Sequence, residues 1–326
     1  MQLHHKSKLI NLLGGLAATA VVVLMTMSFL GYLRSTYWLA EIFANFHLQY
    51  SWAFLLIIPL LIITKRPVWL TLATFGFILN FVTLLPFYFQ PTAQAIPINT
   101  SAGKLTVMHT NVNYHTNDFA PLALLVREQK PDVLVVVELP SQNYSLLAEL
   151  IPEYSLQYHL PGRARLGMAF FVKPEFGTQF EKTYFSQHAD YPSITARITT
   201  QTQETIQFAL IHPPPPITER TQQVRNDVLL GAAAWAADQT DPVVVLGDFN
   251  ATSWSKIFNE LLETGNLQDT RLNNGVQPSW PSFLPKAFRI PIDHVLVRDL
   301  TVTDRQILPH VGSDHLPVLV KIVPIN

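Results

Sequence analysis

There is no cysteine among the 326 residues of this chain. That excludes a cysteine nucleophile, a disulfide-stapled secreted scaffold, and thiolate sites for zinc or an iron–sulfur cluster. Zero thiols suit either side of a membrane, so the redox compartment stays open. Charge is scarce too. Only 14% of residues are Asp, Glu, Lys or Arg, against about a quarter in an ordinary soluble domain. This composition excludes a coiled coil and a disordered acidic or basic tail. The sequence has no repeat of solenoid period and no basic run.

The charge that is present lies unevenly. Met1 to Ala95 contains five basic residues (Lys6, Lys8, Arg34, Lys65 and Arg66) and one acid, Glu41, while the remainder has 17 basic and 22 acidic residues. Two unlike segments therefore meet near residue 95. The second is long enough to bury a core of its own.

The first segment reads as membrane. Three spans are expected, over about 9–33, 43–63 and 68–89. The first and third are uncharged and long enough to cross ~30 Å of hydrocarbon. The second is short unless it recruits Phe43 to Tyr50. A cleaved signal peptide has an apolar region of only ~7–15 residues, shorter than the first run here. Lys6, Lys8, Lys65 and Arg66 fall on one side of the spans, and Arg34 and Lys104 on the other. The positive-inside rule then puts the N-terminus in the cytoplasm, and an odd number of spans carries the C-terminal domain outside. Tyr37, Trp38, Trp52, Trp69, Phe87 and Tyr88 sit near span ends, as interfacial aromatics do. Residues 91–104, with Pro91, Pro97 and Gly103, read as a linker. Residues 105–326 read as one domain.

In that domain, strand patterns alternate with helical ones. Strands are expected at Leu105 to Met108, Asp132 to Val137, Gly167 to Val172, Ser193 to Thr199, Thr205 to Ile211, Pro242 to Leu246, Ile292 to Val297 and Leu316 to Val323. Helices are expected at Phe119 to Gln129, Arg220 to Ala237 and Ser255 to Thr264. Apolar strands repeatedly end in a polar residue: Glu138, His212, Asp248 with Asn250. A carboxylate partly buried at a strand end is costly unless a cation or a partner compensates it. Asn111, Glu138, His212, Asp248, Asn250, Asp293, Asp314 and His315 form the candidate set. Its oxygen-rich character suits Mg2+ or Mn2+ better than zinc.

The segments carrying these residues resemble those of one superfamily. They are Val107-Met-His-Thr-Asn-Val-Asn113, Pro131-Asp-Val-Leu-Val-Val-Val-Glu138, Ala209-Leu-Ile-His212, Val245-Leu-Gly-Asp-Phe-Asn-Ala251, Ile292-Asp-His294 and Gly312-Ser-Asp-His-Leu-Pro317. In content and order they resemble the endonuclease/exonuclease/phosphatase superfamily, from Leu105 to about Val323. The resemblance implies an α/β fold, a four-layer α-β-β-α sandwich, preceded here by about three transmembrane helices. It also implies roles: Glu138 as main metal ligand aided by Asn111, with Asp314 at a second or alternative metal position. Asp248 would orient or deprotonate the attacking water and Asn250 would help hold it. His315 would contact the phosphate, Asp293 would fix its tautomer, and His212 would lie beside the phosphate. Asn113 stands where some members have Asp, and Tyr114 where many have Gly, so Asn113 is assigned to substrate binding.

Arg163, Arg165 and Arg197 are the arginines that could face a phosphate, and Arg197, on a strand, is preferred. His109, His115, His159, His188 and His310 read as surface or internally satisfied residues. His294 should face away from Asp293. Three functions fit this reading: a membrane-anchored phosphoesterase for lipid headgroups or small phosphoesters, a membrane-held nuclease, and a non-enzymatic binding module. Nucleic acid is disfavoured because the domain lacks clustered Lys and Arg. The expected partners are the bilayer and a phosphoester substrate, with no obligate protein partner.

Overall fold

A computed structural model describes residues 2–33, 38–90, 103–162, 164–187 and 190–325. Arg34, Tyr37, residues 91–102 of the expected linker, Arg163 and His188 lie outside these residues. The chain divides into two compact units, Met1–Phe89 with Trp254–Lys256, and Gln90–Ser253 with Ile257–Asn326.

The first unit is helical, with α1 Gln2–Tyr32, α2 Trp38–Ala44, α3 His47–Ile63 and α4 Pro67–Val82. Ala17, Val21, Tyr50, Phe54, Leu61 and Ala73 form its buried core. Asn80 joins α3 and α1: its Oδ1 lies 2.6 Å from His47 Nδ1, and its Nδ2 donates to Ser28 Oγ at 3.0 Å.

Among the described residues only α1 reaches span length unaided, with His5–Tyr32 apolar over 28 residues. This corrects the expectation of three spans. The second is bent by 57° between α2 and α3, so it counts only as a broken span. The third stops at Val82, after 16 residues. Pro86 follows in a single 3-10 turn, Leu85–Phe87, where its ring and missing N–H prevent the helix from continuing.

The second unit is built from β-branched runs. Its strands are β1 Leu105–Asn111, β2 Val133–Val137, β3 Leu156–Leu160, β4 Met168–Val172, β5 Gly177–Thr183, β6 Ser193–Thr199, β7 Thr205–Ile211, β8 Val243–Asp248, β9 Gln268–Asp269, β10 Asp293–Arg298, β11 Leu300–Ile307 and β12 Val318–Pro324. They form two six-stranded mixed sheets, ordered β11-β12-β1-β2-β4-β3 and β5-β6-β7-β8-β10-β9. Helices α5 Ala120–Gln129 and α6 Ser141–Leu150 belong with the first sheet; α7 Glu219–Asp238 and α8 Lys256–Gly265 belong with the second.

The period of two along each strand sorts side chains into layers. Val133, Val135 and Val137 of β2 meet Val244 and Leu246 of β8 between the sheets. Leu134 and Val136 point the other way, onto Leu122 and Val126 of α5. Val243 and Val245 likewise pack on Val228 and Leu229 of α7. Runs that are apolar on both faces are what a sheet covered on both sides requires. The result is helix, sheet, sheet, helix, as the sequence resemblance implied.

Each sheet contains one parallel pair, β1 with β2 and β7 with β8. Parallel neighbours end on the same edge. Asn111 pairs with Val137 just before Glu138, and Ile211, just before His212, pairs with Gly247 just before Asp248. β10 runs antiparallel to β8 and starts at this edge, with Asp293 directly opposite Asp248.

Candidate active site

Parity places the polar groups. Residues 105 and 107 of β1, 244 and 246 of β8, and 295 and 297 of β10 face the layer between the sheets. By the same count His109, Asn111, Asp248 and Asp293 face it too, where that layer meets the strand ends. Glu138 has the opposite parity to the inward residues of β2. Its left-handed backbone (φ 55°) breaks the alternation and brings its side chain to the same place. Asn113 and Asn250 are left-handed as well, at φ 59° and 48°. Non-glycine residues held in this region store strain that the surrounding structure must hold, and such residues cluster at functional sites. Gly247 makes room for the turn: at φ 141°, a Cβ there would stand 1.9 Å from the Ile211 carbonyl oxygen.

Asp293 is the centre of one cluster. It is fully buried, and its Oδ2 accepts from His315 Nδ1 at 2.8 Å and Ser279 Oγ at 2.5 Å. Its Oδ1 accepts from His109 Nε2 at 3.1 Å, and Arg271 donates to its backbone carbonyl. Burial alone would raise the Asp293 carboxyl, but His315 and His109 outweigh it and hold the group well below the usual range. Burial opposes the charge on His315 in the same way. Asp293 first and then Asp248 outweigh it and push His315 up to about 10, so His315 carries a proton on both nitrogens at neutral pH. The Ser-Asp-His loop is fastened by Ser313, whose hydroxyl donates to the Asn111 carbonyl at 2.6 Å and accepts from His315 N at 3.1 Å.

Asp248 is the centre of the other cluster. Its Oδ1 accepts from Asn250 N at 2.9 Å, which forms the turn after β8. Its Oδ2 accepts from Asn111 Nδ2 at 3.2 Å and lies 3.7 Å from His315 Nε2 and 3.8 Å from His212 Nε2. Burial raises the Asp248 carboxyl to about 6 despite the nearby imidazoles. Glu138 Oε1 lies 3.7 Å from His212 Nε2, and Glu138 Oε2 accepts from Tyr114 N at 3.3 Å. Asn250 Nδ2 donates to the Pro213 carbonyl at 3.0 Å, and Arg225 NH1 donates to the Asn250 carbonyl at 2.8 Å.

These residues fit a hard divalent cation. His212 Nδ1 lies 3.0 Å from the Arg165 carbonyl, so it donates there. His212 Nε2 therefore faces Glu138 Oε1 and Asp248 Oδ2. Two carboxylate oxygens converging on one imidazole nitrogen is a repulsive arrangement unless a proton or a metal lies between them. Asp248, Asp293 and His315 also offer ligand atoms within 4.8 Å of one another. Asp293 already accepts three side-chain hydrogen bonds there, whereas Glu138 accepts only on Oε2 and leaves Oε1 facing His212, so the Glu138 side of the cluster is the better cation position.

The structure brings together Asn111, Glu138, His212, Asp248, Asn250, Asp293 and His315 from the sequence-derived set. Asp314 is adjacent, but both its oxygens accept hydrogen bonds, from Asn113 Nδ2 at 2.7 Å and Trp280 Nε1 at 3.1 Å. Asn113 thus holds Asp314. Arg197 corrects the sequence reading. It pairs with Gln207 of β7, five residues before His212, or roughly 17 Å along the strand. Its side chain is 52% exposed and reaches Asp241 at 3.6 Å, at the far end of β8 from Asp248.

His109 takes the internally satisfied alternative: it is fully buried, with Nε2 on Asp293, and its parity with Asn111 was the signal that it joins the site. Ser279, Trp280 and Arg271 had no such signal, because they lie in the irregular segment before β10. His294 lies, as expected, on the outer face of β10, where Nε2 bonds to the Ala251 carbonyl at 2.7 Å and the ring packs on Phe249 and Phe258.

Solved structures share this architecture. A humanized D. rerio TDP2 with 14 mutations is 17% identical, with a TM-score of 0.57 over 67% of this chain and 98% of that one. A mannosyl-6-phosphatase from Bacteroides thetaiotaomicron is 18% identical, with a TM-score of 0.56 over 67% of this chain and 99% of that one. The catalytic domain of human Nocturnin with bound sulfate is 14% identical, with a TM-score of 0.55 over 68% of this chain and 94% of that one. At such identities the likeness concerns the fold alone. No curated protein matches the chain in sequence. The profile of the Endonuclease/Exonuclease/phosphatase family matches residues 108–315, well over half of the chain, and the chain belongs to that family.

Proposed function

We propose that the chain is a metal-dependent phosphoesterase, tethered to a bilayer through α1, that hydrolyses a phosphoester by in-line attack of water. The observation that carries this reading is the pairing of two unlike groups 3.7 Å apart: a buried imidazolium at His315 and a buried carboxylate of raised pKa at Asp248. The first can donate from Nε2 to a phosphoryl oxygen. The second can take a proton from water on Oδ2. Two neighbouring groups whose environments push their pKa values apart suit acid and base roles.

Asp293 keeps His315 in the donating form through Nδ1, and Asn250 and Asn111 orient the water and the Asp248 carboxylate. A Mg2+ or Mn2+ ion held by Glu138 and Asn111, with His212 alongside, would supply Lewis-acid polarisation of the phosphoryl group. Hydrolase neighbours of the same fold, the mannosyl-6-phosphatase and TDP2, support the reaction class. The support for tethering is α1, which is long and apolar enough to span. With α1 as the span, Lys6 and Lys8 before it against Arg34 just after it favour a cytoplasmic N-terminus and an external domain.

The nuclease reading keeps one support, the TDP2 neighbour solved with a single-strand DNA product. The surplus of 22 acidic over 17 basic residues beyond Ala95 counts against it. The test is turnover by the purified chain with Mg2+ or Mn2+ of a lipid phosphoester, a small aryl phosphoester and plasmid DNA, with Asp248→Ala as control. Hydrolysis of the first two, lost in the variant, is expected. DNA as the sole substrate would support the nuclease. Absence of metal-dependent turnover on all three would leave a binding module.

A further inference from the structure

Arg165 has no assigned role, and it is exposed beside the site. Its backbone carbonyl accepts from His212 Nδ1 at 3.0 Å, so the arginine is fixed to a site residue. Its guanidinium lies over the ring of Tyr114, 5.1 Å from the centroid. Tyr114 is itself pinned. Its N–H donates to Glu138 Oε2, and its ring lies 3.9 Å from that of His115. The turn that carries it is closed by Thr116 N on the Asn113 carbonyl at 2.8 Å and His115 N on Asn113 Oδ1 at 3.0 Å. Asn113 Nδ2 then ties the turn to Asp314 at 2.7 Å. The arginine therefore rests on a built aromatic platform, not on a mobile loop side chain.

Arg165 is exposed. Among the described residues no carboxylate lies within 4.0 Å of it, although Glu138 and Asp314 are near enough to raise its pKa, after the larger effect of its bond to Tyr114. Three other arginines are taken up by carboxylates: Arg271 pairs with Asp269, Arg298 with Asp299 and Arg197 with Asp241. A guanidinium has five donors in a planar fork that matches phosphate oxygens, and it keeps that fork when laid on an aromatic face. Here the exposed fork lies near Glu138 and Asp314, and beyond Tyr114 it has no hydrogen-bond partner among the described residues.

We propose that Arg165, held on Tyr114, is a specificity-determining residue that binds the additional anionic oxygen of a phosphate monoester. The inference rests on the phosphoesterase reading above. A diester offers two non-bridging oxygens, for which His315 and a bound cation would supply the two contacts. A monoester dianion offers a third, and a third cationic contact is what Arg165 adds. The wild-type enzyme therefore prefers monoesters to simple diesters.

The test compares p-nitrophenyl phosphate with bis(p-nitrophenyl) phosphate, using the full chain in detergent with Mg2+ or Mn2+. Arg165→Ala is expected to lower kcat/KM for the monoester about 100-fold, mainly through KM, and for the diester less than about 3-fold. Arg165→Lys should fall between, because a lysine is a point charge without the fork. Inorganic phosphate, followed by calorimetry in the presence of metal, should bind the wild type and bind Arg165→Ala at least tenfold more weakly. An equal loss on both substrates, no loss on either, or a wild type that hydrolyses only the diester would overturn the assignment. Failure of the wild type on both substrates would instead remove the phosphoesterase reading, a different and recognisable result.

Discussion

Replacing Asp293 by Asn tests the electrostatic design of the site directly. The change keeps the shape and removes one buried negative charge. His315 Nδ1 is 2.8 Å from Asp293 Oδ2, and Asp248 Oδ2 is 3.7 Å from the other ring nitrogen. His315 titrates at about 10, because these two carboxylates outweigh its burial. At a charge separation of about 4 Å and an effective dielectric of about 20, one such attraction amounts to about 4 kcal/mol. That corresponds to roughly three powers of ten in proton affinity, so His315 in Asp293→Asn should titrate near ~7. The assay is an NMR pH titration of histidine-labelled protein from pH 5 to 11, with His315 assigned by its loss in His315→Gln.

Stability should follow the same residue. The folded value of His315 is above its ordinary 6.5, so its contribution is fully present below pH ~6.5 and is lost as pH rises through about 10. Denaturant midpoints of the wild type should therefore fall between those pH values, and those of the variant should fall less. Activity in the variant should decline above neutral pH, where its imidazole loses the proton it donates. A His315 resonance that still titrates near 10 in Asp293→Asn would refute the reasoning, as would a rate lost equally at pH 6 and pH 9.

Four other outcomes follow from the geometry. Asp248 is raised from 3.8 to about 6, so ionising it costs the folded state increasingly as pH rises from about 4 through 6; Asp248→Asn should stabilise the metal-free protein at pH 7.5 by up to about 3 kcal/mol in urea unfolding while abolishing turnover. Mg2+ or Mn2+ should raise the unfolding temperature of the wild type but not of Glu138→Gln, as read by calorimetry, because binding to the folded state alone stabilises it. Gly247→Ala, with its Cβ 1.9 Å from a carbonyl oxygen and φ at 141°, should cost at least ~2 kcal/mol, measured by denaturant unfolding. Arg197→Ala should leave turnover unchanged and alter stability by less than about 1 kcal/mol, as an exposed ion pair does.

The strand runs and the polar residues that end them were legible in the sequence because each is local. A run such as Val133 to Val137 is apolar on both faces only if both are covered, and Glu138 after it breaks the pattern. The helix over 120–129 was visible for the same reason. Elements with few apolar residues to mark a period, such as β5, where Phe180 is the single large apolar side chain, and the mostly polar first half of α6, were not. The extent of the apolar helices was misjudged because hydropathy registers apolar length but not where Pro86 or the bend at 45–46 interrupts a helix.

By itself the sequence determined the chemical inventory: no thiol, few charges, an apolar segment of span length, and a set of carboxylates, amides and imidazoles at strand ends. Tertiary structure decided which of them meet. His109 joins Asp293 because β1 and β10 lie in facing sheets and both side chains point between them. Arg197 is excluded because it lies near the wrong end of its sheet. Arg165 comes beside the site because its carbonyl meets His212, 47 residues away in the chain. Periodicity along a strand states which face a side chain takes; the pairing of distant strands states which neighbours share that face, and no local pattern encodes that pairing.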